Sequence, residues 1–149
     1  MYRILSCVVL LLIASVSLDA RHSANDFGRF NPSGEYHPLN RPADNLDLQF
    51  HLRFRYKRRT FVAWGNLYGS DSRFYKFRSV SITQKHLSFA TRRLRGVMYT
   101  FEGTFLRGGN FATQDPPLGS FPLQGTLRKF INGKKAMEFT TSFVYYVGC

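Results

Sequence analysis

Residues 46–57 alternate strictly between apolar and polar side chains, and no other feature of the chain narrows its fold as far. Leu46, Leu48, Phe50, Leu52, Phe54 and Tyr56 hold the even positions, while Asp47, Gln49, His51, Arg53, Arg55 and Lys57 hold the odd ones. On a helix the two sets would scatter around the axis. On a strand they point to opposite faces, one towards a core and one towards water. The chain therefore reads as all-β, with cations outside and rings inside.

The same signal recurs downstream. After the turn Lys57-Arg58-Arg59 a second strand is predicted at 60–68, and a third at 74–83. In the third, Tyr75 and Phe77 occupy odd positions but Val80 and Ile82 even ones, a phase change that a β-bulge near Arg78 and Ser79 accommodates. A short fourth strand, 87–91, ends in Arg92-Arg93-Leu94-Arg95-Gly96, and 97–105 alternates cleanly. A long connection over 107–120 contains Gly108-Gly109 and Pro116-Pro117. The last two strands, 121–131 and the run through Met137 to Val147, flank Asn132-Gly133, the pair favoured in a two-residue type I′ turn because both positions need positive φ. Seven to eight antiparallel strands in mostly meander order close as a small barrel, with a sandwich as the second choice. Gly65, Gly103 and Gly125 lie inside strands and favour the barrel, where a missing side chain permits sharp coiling.

Residues 1–20 are read as a secretory signal peptide: Arg3 precedes an apolar stretch over 4–14, shorter than the roughly 20 residues of a spanning helix. The mature protein is accordingly expected to be exported, secreted or periplasmic, starting near Leu18 or Arg21. Residues 21–45, with Pro32, Pro38 and Pro42, read as an irregular leader or linker, and 46–149 as the β-barrel domain. Phe27, Phe30, Tyr36 and Leu39 are apolar enough to lie over a barrel end or a sheet edge. With Cys7 inside the signal, Cys149 is the single cysteine of the mature chain. No intramolecular disulfide can form, and a Cys149-linked dimer is the one covalent association left open.

Charge is concentrated on the barrel. Residues 46–149 hold seventeen Lys or Arg against five Asp or Glu, so their net +12 equals that of the entire chain. A surface of this kind attracts anions at long range. We assign Arg53, Arg55, Lys57, Arg58, Arg59, Arg92, Arg93 and Arg95 to contact with an anionic polymer or membrane surface, without sequence specificity. Sequence-specific nucleic-acid binding is disfavoured, because alternation over 50–57 puts the aromatics on the face opposite the cations, and stacking needs both on one face. In a meander alternate turns share an end. Lys57, Arg58, Arg59, Lys85 and Arg107 then gather at one end, with Arg73, Arg92, Arg93, Arg95 and Lys134 at the other.

No catalytic constellation emerges, and the chain reads as a binding or interaction module rather than an enzyme. His22, His37, His51 and His86 have no metal-ligand spacing, and Glu102 and Glu138 fall on the water-facing parity of their strands. No cofactor or metal is expected. One alternative is a small-ligand carrier, with Trp64, Tyr68, Tyr75 and Phe111 lining a pocket under a lid at 107–120. Against it, Phe50, Phe54, Phe101, Phe105, Phe139 and Phe143 on the inward parities would fill a small interior. A second alternative is a small outer-membrane β-barrel, which would turn Phe50 and Phe54 towards lipid and Arg53 and Arg55 into the lumen.

Overall fold

The alternating segment becomes strand β2 (Gln49–Lys57), the second of eight strands in a closed antiparallel barrel. The structure is a computed structural model and describes residues 30–40, 48–57, 60–111 and 121–147. The other strands are β1 (Gly34–Pro38), β3 (Thr60–Tyr68), β4 (Phe74–Ile82), β5 (His86–Thr91), β6 (Val97–Phe105), β7 (Leu123–Ile131) and β8 (Lys134–Tyr146). Each pairs with its sequence neighbour, and β1 closes the circle by pairing with β8. The bulge anticipated near Arg78 and Ser79 falls between Phe77 and Ser79. The β7–β8 turn has φ of 50° at Asn132 and 82° at Gly133, as a type I′ hairpin requires.

Inside, the barrel is filled by rings. Phe50 stacks on Tyr36 with centroids 4.9 Å apart and also meets Phe89, Phe101 and Phe143, all within 5.4 Å. Phe77 stacks on Phe89 at 4.1 Å, extending the cluster to β4. Leu52, Leu67, Leu87 and Leu123 are fully buried between these rings. Such packing confers a hydrophobic and dispersion contribution that needs no disulfide.

The segment read as an irregular leader is not irregular throughout. Residues 30–40 belong to the barrel, and β1 supplies the strand that closes it. Its signal was faint because Tyr36 is the single large apolar residue in Gly34-Glu35-Tyr36-His37-Pro38, yet burial alternates along all five positions. Pro38 stands at the strand end, where a missing N–H is least costly. The hydroxyl of Tyr36 donates to the Pro32 carbonyl at 2.6 Å, and that of Tyr145 to the Ser33 carbonyl at 2.6 Å, anchoring the entry to β1. Residues 1–29, 41–47 and 148–149 lie outside the described residues, and with them the proposed signal and Cys149.

One end of the barrel is stoppered. Phe30 packs edge-on against Phe105 at 5.2 Å and Phe111 at 5.9 Å, while backbone bonds between Asn31 and the 109–111 segment hold the plug in place. The predicted lid at 107–120 is thus in part a plug: Phe111 is fully buried. Residues 112–120 lie outside the described residues.

Polarity runs from apolar interior to charged exterior. Phe50 and Leu52 face inwards, while Arg53 and Arg55 are exposed. A membrane-spanning barrel needs the reverse, an apolar outer belt, so the side-chain directions offered for the outer-membrane alternative are overturned.

Candidate functional site

Two of the eight strand pairs are joined by three residue pairs each: β1–β2, where β1 is only five residues long, and β3–β4. The β3–β4 ladder consists of Asn66–Lys76, Leu67–Tyr75 and Tyr68–Phe74 alone, although both strands are nine residues long. Beyond Lys76 the bulge at Phe77/Ser79 bends β4 towards β5, and bulges carry such bends. A slot opens between the two strands on the outer wall.

The slot is floored by Gly65 and Phe77. Glycine is required there, since a Cβ at position 65 would lie 2.7 Å from Cε2 of Phe77 and would also strike the His51 carbonyl oxygen. The Phe77 ring, stacked on Phe89, separates the slot from the core. Above this floor lies a cleft of about 310 Å³ whose rim carries His51, Arg53, Trp64, Asn66, Lys76 and Arg92. Strand register explains their meeting: Arg53 stands opposite Trp64, and His51 opposite Asn66, which in turn stands opposite Lys76. Arg92 joins them because its N–H donates to the Lys76 carbonyl at 2.8 Å.

Electrostatically the cleft is one-sided. None of its lining residues is acidic. Among the described residues, Arg53, Lys76 and Arg92 form no ion pair, whereas Arg73 is engaged by Asp71, and Arg128 and Lys135 by Glu138. Arg55 lies over the Trp64 ring, 5.3 Å from its centroid, and Trp64 keeps 42% of its surface exposed. Partial burial, then the charge of Arg53, lowers the pKa of His51 below its ordinary 6.5, with Glu35 pulling the other way.

A second cleft, of about 120 Å³, adjoins the first and shares His51 and Asn66 with it. Its other walls are Glu35, Gln49, Phe50, Tyr68 and Phe74. Phe74 is 65% exposed and packs against Tyr68 with centroids 4.9 Å apart.

The eight predicted anion-binding residues therefore do not form one site. Arg53 and Arg92 come together in the cleft and Arg55 borders it. Arg93 and Arg95 are exposed in the turn beyond Arg92. Lys57 ends β2 at the opposite end of the barrel from Arg92, as the meander order requires, and Arg58 and Arg59 lie outside the described residues. Lys76 reads from the sequence as one more charge on the outer wall and stood outside the predicted set; its place beside Arg53 and Arg92 shows only once register is known.

The predicted pocket residues also separate. Tyr75 is buried at the barrel end, donating to Asp71 Oδ2 at 2.6 Å, and burial together with that bond pushes its pKa well up. Phe111 plugs the other end, while Trp64 and Tyr68 border the two outer clefts. They line no common interior pocket. Separation of aromatics from cations, inferred from β2, holds within that strand but not across the wall: Trp64 and Phe74 are exposed beside Arg53 and Lys76. Among the described residues, no group of three or more His, Cys, Asp or Glu is close enough to hold a metal ion. Comparison with known protein families, curated proteins and solved structures gives no match.

Proposed function

We propose that this chain is an exported binding module that holds an anionic polymer at the β3–β4 slot. The observation that carries this reading is the convergence of Arg53, Lys76 and Arg92, without carboxylate partners among the described residues, around a cleft with no acidic lining residue. Like charges held together in this way repel one another, and an anion placed between them relieves that repulsion. Charge elsewhere on the barrel raises the encounter rate, while the cleft localises the bound segment.

The test compares charge-matched variants. Arg53→Ala/Arg92→Ala should weaken binding of dextran sulfate in 50 mM NaCl by about tenfold or more and flatten its salt dependence. Lys85→Ala/Lys134→Ala, which removes the same charge away from the cleft, should change affinity less than about twofold. Equal losses in both pairs would make the attraction diffuse and remove the site.

Binding should also depend on pH through His51. The ring meets Glu35 from β1, Arg53 from its own strand, Asn66 from β3 and the Lys76 side of the cleft. A bound anion favours the imidazolium, so binding takes up a proton and affinity rises as pH falls through the region below 6.5. The expected gain between pH 7 and pH 5 is about threefold to tenfold, and His51→Gln should abolish it. The sign for the unliganded fold is the opposite. Because His51 binds its proton more readily when unfolded, its contribution to stability declines as pH drops below 6.5. Isothermal titration at several pH values, each checked for a folded baseline, separates the two effects.

A further inference from the structure

Resting on the anion-binding reading above, we propose that the two adjoining outer clefts form one groove for an acidic oligosaccharide, its carboxylate or sulfate groups held at the Arg53–Lys76–Arg92 end and its sugar faces stacked on Trp64 and on Phe74. The groove follows the outer face of β3, where three cross-strand rows succeed one another: Arg53 with Trp64; His51 with Asn66 and Lys76; Gln49 with Tyr68 and Phe74. Trp64 and Tyr68 are four residues apart on one face, roughly 13 Å at about 3.3 Å per residue. Aromatic platforms thus stand at both ends, with the imidazole of His51, the amide of Asn66 and the ammonium of Lys76 between them.

This order of side chains selects a class of ligand. Positive charge covers the first two rows of the groove, through Arg53, Lys76 and Arg92, and the last row, Gln49, Tyr68 and Phe74 with Glu35 beside it, carries none. A polyphosphate or a nucleic-acid backbone carries a negative charge on every unit and would bring phosphates against Glu35. Saccharide units, in contrast, carry hydroxyls that both donate and accept. Gln49 and Asn66 can do both, and the Glu35 carboxylate can accept. The apolar C–H faces of sugar rings suit exposed aromatic rings, and Phe74, although it packs against Tyr68, keeps 65% of its surface open to such a face. Arg53, Lys76 and Arg92 supply the complement to an acidic substituent.

Trp64 is the single tryptophan of the chain, so its emission reports on the groove directly. The experiment titrates the protein with a hyaluronan hexasaccharide, in which uncharged sugar units alternate with carboxylate-bearing ones, with inorganic polyphosphate of equal charge, and with an oligothymidylate of equal charge. The hexasaccharide is expected to shift Trp64 emission saturably and to bind about tenfold tighter than either competitor. Phe74→Ala and Gln49→Ala should each weaken the hexasaccharide about fivefold while leaving polyphosphate unchanged, with thermal melting confirming an intact fold. Equal affinity for polyphosphate, or indifference to Phe74 and Gln49, would overturn the saccharide groove. If Arg53→Ala/Arg92→Ala still weakened polyphosphate, the anion site would survive that result. Preference for the oligothymidylate would overturn the saccharide in favour of a nucleic acid, and indifference of all three ligands to Arg53 and Arg92 would remove both readings.

Discussion

Phe50→Ala is expected to destabilise the barrel by about 3–5 kcal/mol, a large part of the 5–15 kcal/mol that holds a typical domain together. Among the described residues four rings meet that of Phe50: Tyr36 at 4.9 Å, Phe89 at 5.1 Å, Phe101 at 5.3 Å and Phe143 at 5.4 Å. They come from β1, β5, β6 and β8, so one ring ties together strands from all around the barrel. Truncation removes its buried area and leaves a void that fixed strands cannot collapse. The urea midpoint of the variant measures the loss; Phe50→Leu should recover more than half of it. Phe74→Ala, on the outer wall, should stay within about 0.5 kcal/mol of the parent. A Phe50→Ala cost below about 1 kcal/mol would mean that the interior tolerates empty space, as a ligand carrier must, and would reopen that alternative.

Gly125→Ala should cost about 1–3 kcal/mol despite adding a single methyl group. Gly125 stands opposite Gly103 on β6, and the Phe101 ring lies over both. A Cβ at Gly125 would come within 2.5 Å of Phe101 Cζ, 2.6 Å of the Glu102 carbonyl oxygen and 2.7 Å of the Gly103 Cα. Two of those three neighbours are backbone and cannot turn aside. Gly103→Ala meets the same ring and the Gln124 carbonyl oxygen at 2.7 Å, so the double variant should lose more than the sum of the single ones. Gly108→Ala is the control, since a Cβ there meets nothing within 4 Å and should be neutral. Thermal melts of the four variants beside the parent decide the matter: a Gly125→Ala protein as stable as the parent would mean that the strands are not pressed together at this point.

Legibility in the sequence followed the strength of alternation. Strands β2, β6 and β8 each place several large apolar residues on one parity, and the Phe77/Ser79 bulge showed as a change of phase. The β7–β8 turn was visible in Asn132-Gly133, which few other conformations favour. β1 was not legible, because Gly34 and Pro38 flank its one ring and both usually mark a break in structure. What made Tyr36 a core residue is partnership with β2 and β8, a fact about closure rather than about the segment itself.

The candidate site was legible only in fragments. Arg53 and Arg92 stood out for charge and Trp64 for its ring, but they entered two competing readings, one of an anionic surface and one of an enclosed pocket. Their convergence depends on strand register and on the early end of the β3–β4 ladder, neither of which a linear pattern encodes. The opposite-face argument about aromatics was sound for one strand and failed across three. Parity is a property of a strand, whereas a binding face is assembled from neighbours.

Amide chemical-shift mapping of the bound state tests the slot most directly, using the same hyaluronan hexasaccharide at moderate salt. Perturbations should cluster on Arg53, Trp64, Asn66, Lys76 and Arg92, leaving Lys85, Arg107 and Lys134 unmoved. Shifts spread evenly over the basic residues at both barrel ends would contradict a localised site and leave nonspecific attraction to a +12 surface as the whole of the effect.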